Sequence, residues 1–232
     1  MQSEDRVIHF STELIHPPAQ HKKADLQKLY FELSQTRAAY DSSDFASPVQ
    51  YRFYSRRGPK TQSVALFFPD RMVLIEEWAD IPMSTFVEKV REVATHAFAV
   101  LGIRPIMVHT ATVRSTFALT HFDDARVFLL DHVCQQADRI APHFQRPVGV
   151  GGLRFILPET PDHVGSLHIT IESFRHSRNE IFVEVKGIFA NQNIGPAELA
   201  QSAANIHLVR NFISNHVFPF LNQYDTAEGR IP

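Results

Sequence analysis

The stretch SLHITIESFRHSRNEIFVEVKGIF, from Ser166 to Phe189, alternates with period two on both sides of a polar interruption. Leu167, Ile169 and Ile171 alternate with His168, Thr170 and Glu172, and Ile181, Val183 and Val185 alternate with Phe182, Glu184 and Lys186. Successive strand side chains point to opposite faces, so this segment reads as a hairpin with one apolar and one polar face. The apolar face needs a cover, which places the hairpin in an antiparallel sheet packed on one side. Both apolar series fall on odd positions, so odd must pair with odd. A register setting Glu172 opposite Glu184 opposes like charges across the ladder. Sliding by two places Glu172 opposite Lys186 and Phe174 near Glu184, with Arg178-Asn179-Glu180 as the loop.

The rest of the chain reads in the same way, from its apolar periods. RVIHFSTELI is a strand. PPAQHKKADLQKLYFELS is a helix whose Leu26, Leu29, Tyr30 and Leu33 share one side. VQYRFYS, QSVALFF and RMVLIEEW are three strands joined by turn-rich segments. MSTFVEKVREVATHAFAVLGI is the clearest helix: Thr85 and Glu88 match a capping box, and Gly102 supplies the stop. The order then starts again. IMVHTATVRSTFALT is a strand, and DDARVFLLDHVCQQADRI a helix with acids in its first turn. VGVGGLRFIL, SLHITIESF and EIFVEVKGIF are strands, and PAELAQSAANIHLVRNFISNHVF closes the chain as a helix.

Each element of the second half follows its counterpart by roughly 100 residues. The expected fold is therefore α+β: two tandem β-α-β-β-β-α repeats, residues 1–102 and 103–232, forming a mainly antiparallel sheet with helices on one face. This element order resembles that of the saddle repeats of TATA-binding proteins, in order alone and with each unit one strand short. No DNA-contacting residue carries over, but the resemblance implies a saddle-like nucleic-acid-binding alternative.

A net charge of -2 gives no bulk attraction for a polyanion. The lone Cys134 forms no internal disulfide, which suits a reducing cytoplasm. The opening MQSEDRVIHF holds no apolar run of leader length, and no stretch has the length of a membrane span. The basic tips SRRGPK and RHSR (Arg56, Arg57, Lys60, Arg175, His176, Arg178) lack interleaved aromatic residues, so they read as exposed and separate charge, and nucleic acid is not the expected partner.

Chemistry is sparse. No HxH, HxxxH or HExxH spacing supports a metal site, and no nucleophile motif, P-loop or dinucleotide fingerprint occurs. The expected cofactor is none, and the expected catalytic and metal residues are none. Glu76 and Glu77 are adjacent on a strand and face opposite ways, Cys134 packs mid-helix, and His109 turns to the apolar side as a neutral hydrogen-bonded ring.

The polar strand faces remain. His9, Ser11 and Glu13 lie on the first strand, with Thr110, Thr112, Arg114 and Thr116 on its counterpart. Arg114, His168, Glu172, Glu184 and Lys186 form the candidate ligand-binding set, suited to a phosphate or carboxylate. Phe174, Phe182 and Ile188 share that side and form the candidate interface, since apolar anchors rimmed by charge mark association surfaces. The expected function is a non-catalytic cytosolic binding or regulatory module that engages a protein partner or its own copy. An enzyme or ligand binder using the polar face is the alternative.

Overall fold

The computed structural model describes residues 6–47 and 49–227. Met1–Asp5, within the opening that reads as lacking a leader, lie outside the described residues. The fold is α+β, built on one nine-stranded antiparallel sheet in the order β2-β3-β4-β5-β1-β6-β9-β8-β7. The strands are β1 (Arg6–Ile15), β2 (Ser42–Asp44), β3 (Tyr51–Arg56), β4 (Gln62–Phe67), β5 (Arg71–Glu77), β6 (Val108–Ala118), β7 (Gly152–Leu157), β8 (Ser166–Ser173) and β9 (Glu180–Phe189). The long helices are α1 (Lys23–Leu33), α2 (Met83–Leu101) and α5 (Leu199–Phe212), and the short ones are α3 (Ala125–Val127), α4 (Ala137–Phe144) and α6 (Phe218–Asn222). No helix among the described residues is long and apolar enough to cross a membrane.

The alternation decides which face the helices cover. Phe10 and Leu14 of β1 line up with Val113 and His109 of β6, and those with Val185 and Phe189 of β9, all buried. Phe86 of α2 stacks on Phe10 at 5.3 Å. On the same face, over the second half of the sheet, α5 reaches Gly187, where an added Cβ would meet Val209 at 2.6 Å. Glycine is required there by close approach rather than by backbone freedom.

The strand boundary between the two halves is the β1–β6 pair. Leaving aside the short edge strand β2, the order reads outward as β1-β5-β4-β3 on one side and β6-β9-β8-β7 on the other. His109 sits at this boundary, buried beneath α5. Asn205 of α5 donates to its Nδ1 at 3.0 Å, and the Thr12 hydroxyl lies 2.6 Å from its Nε2. That hydroxyl spends its proton on the Thr110 carbonyl at 3.0 Å, so Nε2 carries the ring proton and donates. Burial pulls the ring down to a pKa of about 3.

Several local expectations are corrected. The capping box of Thr85 and Glu88 is absent, because α2 starts earlier, at Met83, after Pro82 in an extended conformation. The fixed φ of Pro82 already delivers the chain into the first turn, and its carbonyl accepts from the Thr85 and Phe86 amides. The helix expected after Asp123 is broken: α3, a wide turn over Phe128–Val133 and α4 follow one another, with Gln135 at φ +54° between them. Cys134 therefore sits at the end of that turn, half-buried, rather than mid-helix. Strand β2 has no alternating signature and is missed altogether.

The register of the β8–β9 hairpin is a further correction. Odd does pair with odd, but Glu172 lies opposite Phe182, His168 opposite Lys186, and Thr170 opposite Glu184. The loop is longer because it is anchored from outside. The Asn179 carbonyl accepts from the Leu119 amide, and the Arg178 carbonyl from the Ala125 amide. Asp124, which caps α3, also holds Arg178 at 3.3 Å. Tertiary docking of the tip outweighs the cross-strand charge pairing that favours the shorter loop.

A neutral buried histidine makes stability depend on pH with a definite sign. Below its ordinary value of 6.5 the unfolded chain takes up a proton that the native ring refuses until about 3. Stability is full above the first value and declines as pH falls through that window, by up to ~1.4 kcal/mol per pH unit. Ring nitrogen NMR should show His109 held as the Nε2–H tautomer from about pH 7 to about pH 5. A His109 resonance that titrates near the ordinary value contradicts this burial.

Candidate functional site

The face opposite the helices carries the residues singled out in the sequence, and the strand registers arrange them in rows. One row reads Gln62, Glu77, His9, Arg114, Glu184, Thr170 and Arg154 across seven strands. Within it His9 meets Glu77 at 2.7 Å, and the Arg114 Nε donates to Glu184 at 2.6 Å. The His9 hydrogen bond holds the Glu77 carboxyl below its usual range, with a smaller contribution from the Arg114 charge. A neighbouring row places Ser11, Thr112, Lys186 and His168 side by side, and Glu172 sits in a third row beside Phe182.

The five candidate ligand residues are thus spread over three rows. Arg114 and Glu184 are brought together, as are His168 and Lys186, while Glu172 stands apart from both pairs. Arg114 already spends a donor on Glu184, so it does not present an empty fork to an anion. Arg71 on the same face is likewise held by Glu13 at 2.7 Å and by Asp70 at 3.1 Å. The polar face neutralises much of its own charge. Among the described residues, no group of three or more histidine, cysteine or acidic side chains is placed to hold a metal ion.

The aromatic residues converge instead. Phe174 and Phe182 stack at 6.3 Å with their planes 12° apart. His176 packs edge-on against Phe174 at 5.2 Å and against Trp78 at 6.2 Å. Two cations lie over the Trp78 ring, the Lys60 ammonium at 4.8 Å and the Arg6 guanidinium at 5.8 Å. Phe182, Phe174, His176 and Trp78 therefore form a continuous ridge at the hairpin-tip end of the sheet. Ile188 lies on the same face but three rows from Phe182 along β9, outside the ridge.

Trp78, His176, Lys60 and Arg6 were not picked out as site residues in the sequence. The two basic tips do meet aromatic residues, but across space: Lys60 comes from one tip, His176 from the other, and Trp78 stands between them. The available signal was that Trp78 is the chain's single tryptophan, directly after a strand. Its backbone is at φ +49°, in the left-handed region that a bulky residue enters at a cost of order 1–2 kcal/mol. Arg56, Arg57, Arg175 and Arg178 are all exposed. Arg57 is held by Glu76 and Asp80, and Arg178 by Asp124, which divides the basic charge.

Glu76 turns the other way, as adjacency to Glu77 requires. It is 1% exposed, beneath α2, where it accepts from Ser63 at 2.6 Å, Arg57 at 2.8 Å and Lys89 at 3.0 Å. The Lys89 ammonium also lies 4.4 Å from the Tyr40 ring centre, and burial pushes the Tyr40 phenol well up. A cavity of about 550 Å³ opens beside this cluster, lined by Arg37, Arg57, Lys89, Arg91, Glu88 and Glu92. Its four cations are matched by Glu88 and Glu92 in the lining, Glu76 beneath it and Asp80 on Arg57, so the cluster pins α2 to the sheet and gains no net charge for a ligand.

No protein-family model matches this chain, and no curated protein matches it.

Removing the acid of the buried cluster strands its lysine. Glu76→Ala should lose about 3–5 kcal/mol of unfolding free energy in chemical denaturation, because Lys89 loses its carboxylate partner while Arg57 keeps only Asp80. Replacing Glu76 and Lys89 together by methionine should recover most of that loss.

Proposed function

We propose that this protein is a non-catalytic binding module of the cytoplasm whose docking surface is the aromatic ridge at the hairpin-tip end of its open sheet face, and whose ligand is a protein. The observation that carries this reading is the convergence of Trp78, His176, Phe174 and Phe182 into one ridge under Arg6 and Lys60. Large aromatic residues beside arginine are the composition of interface hot spots, which bury much area at small entropy cost. The neighbouring polar residues are paired with one another, so they supply a rim and register rather than a reaction centre. We also infer that residues 1–102 and 103–232 are tandem β-α-β-β-β-α units, a reading supported by the matched strand order outward from β1 and β6.

Trp78 is the only tryptophan in the chain, which makes its fluorescence a direct reporter on the ridge. A bound protein partner should shift the emission to shorter wavelength as the indole leaves water. Phe174→Asp should abolish that shift and the partner's co-purification, with circular dichroism and melting temperature unchanged. Arg114→Ala should leave both intact. Salt-sensitive quenching by a single-stranded oligonucleotide, lost in Lys60→Ala, would replace this reading with the nucleic-acid one.

A further inference from the structure

The two edges of the sheet are finished differently. At one edge, the apolar side chains of β3 are closed over. Tyr30 of α1 packs edge-on against Phe53 at 5.1 Å, Phe45 lies 6.0 Å from the same ring, and β2 adds a last strand. That last strand is Ser42–Asp44, only long enough for three residue pairs, and Asp44 turns its carboxylate onto the Ala46 amide. Short polar edge strands block further pairing.

At the other edge, no strand among the described residues pairs with β7 on its outer side. Phe155 is 41% exposed, Ile156 56% and Leu157 41%. Phe155 and Leu157 form the wall of a groove of about 230 Å³ with Ile169, Ile171, Phe212 and Phe220, which runs into a cleft of about 710 Å³ towards Val164 and Leu208. The hydrogen-bonding direction of β7 follows from one bond. The Ser173 amide donates to the Gly151 carbonyl at 3.0 Å, so odd residues of β7 face β8. By alternation Gly152, Arg154 and Ile156 direct their N–H and C=O groups outward.

We infer that β7 is the seam of a two-fold homodimer, in which it pairs antiparallel with β7 of a second copy and continues the sheet. Three features favour a second copy over another occupant. Head-to-tail growth needs two receptive edges, and β2 is closed, whereas an isologous seam needs one. The strand is also self-complementary in one register, which pairs Phe155 with Phe155 across the axis. That register sets Arg154 opposite Ile156 of the second copy, with both residues directing their ladder groups at each other, and Leu153 opposite Leu157. This register leaves Pro158, which has no N–H, at the end of the seam opposite Gly152; a shift of two one way opposes Arg154 to itself, and a shift the other way moves Pro158 inward, opposite Arg154. Finally, the groove is lined by apolar side chains apart from His216, so it and the strand beside it match an apolar strand from the same sequence. A lipid would fill the groove but leave the outward ladder unpaired.

The test is the native mass of the whole protein across a dilution series by light scattering. The expected result is twice 26.4 kDa for the natural sequence and one chain for Ile156→Pro, which removes an outward N–H without touching the β8 ladder. Phe155→Cys in a Cys134→Ser background should form an intermolecular disulfide on oxidation, because opposed residues of a non-hydrogen-bonded pair lie about 4.5 Å apart at Cα. Ile156→Cys in that background should not. Circular dichroism checks that each variant is folded. A monomeric natural protein overturns the inference, and so does a dimer that survives Ile156→Pro. A dimer dissociated by Phe174→Asp but not by Ile156→Pro assigns self-association to the aromatic ridge and likewise overturns it. A cross-link through Ile156→Cys but not Phe155→Cys overturns the register.

Discussion

The rest of the structure depends on the antiparallel pairing of β1 with β6. These strands are separated by the whole first half of the chain, and each carries a flank of strands outward from the seam. What fixes the pairing is apolar burial on one side and the His109 node at its end. His109 links Thr12 of one half to Asn205 of the last long helix. A buried polar group that is fully hydrogen-bonded specifies one arrangement, since a slipped register would leave each partner unsatisfied at a cost of ~1–3 kcal/mol. Strand seam and helix cover are locked by the same side chain.

From that seam follows the division of labour between faces. One face is closed by α2 and α5 through Phe86, Val209 and their neighbours, and a buried acid, Glu76, is tolerated there because three donors meet it. The other face is left without those helices, and cross-strand pairing has spent much of its charge internally. An ionic surface whose members already hold one another offers little to a small anion. Apolar rings interrupt the charges at the end occupied by Trp78 and Phe174.

The faces were legible in the sequence because period two is a local property: His9, Arg114, Glu184 and Lys186 lie on the side that alternation assigned, and His109 and Glu76 on the other. The α+β class followed from the same periods. What could not be read was set by contacts between distant residues. The β8–β9 register is decided by the docking of Arg178 and Asn179 onto the segment around Leu119 and Asp124, which alternation within the hairpin does not encode. Lys60, Trp78 and His176 belong to different loops and meet only after the central strands pair. The break at Gln135 lay in a run whose apolar spacing suited a continuous helix.

The two edges show why sheet ends are a separate problem from sheet faces. A strand in the middle of the sheet has its ladder satisfied on both sides, so its sequence is judged by the faces alone. An edge strand is judged as well by what approaches it. Ser42–Asp44 answers with brevity and a polar sequence, and the aromatic residues behind it are sealed by α1. Gly152–Leu157 answers with neither, and the broken segment after Ala125 leaves the wall beside Phe155 and Leu157 open. The helical segment between the first and second strands of each half thus has opposite outcomes. One continuous helix closes an edge, and one interrupted helix leaves the outward ladder of Gly152–Leu157 without a neighbouring strand among the described residues.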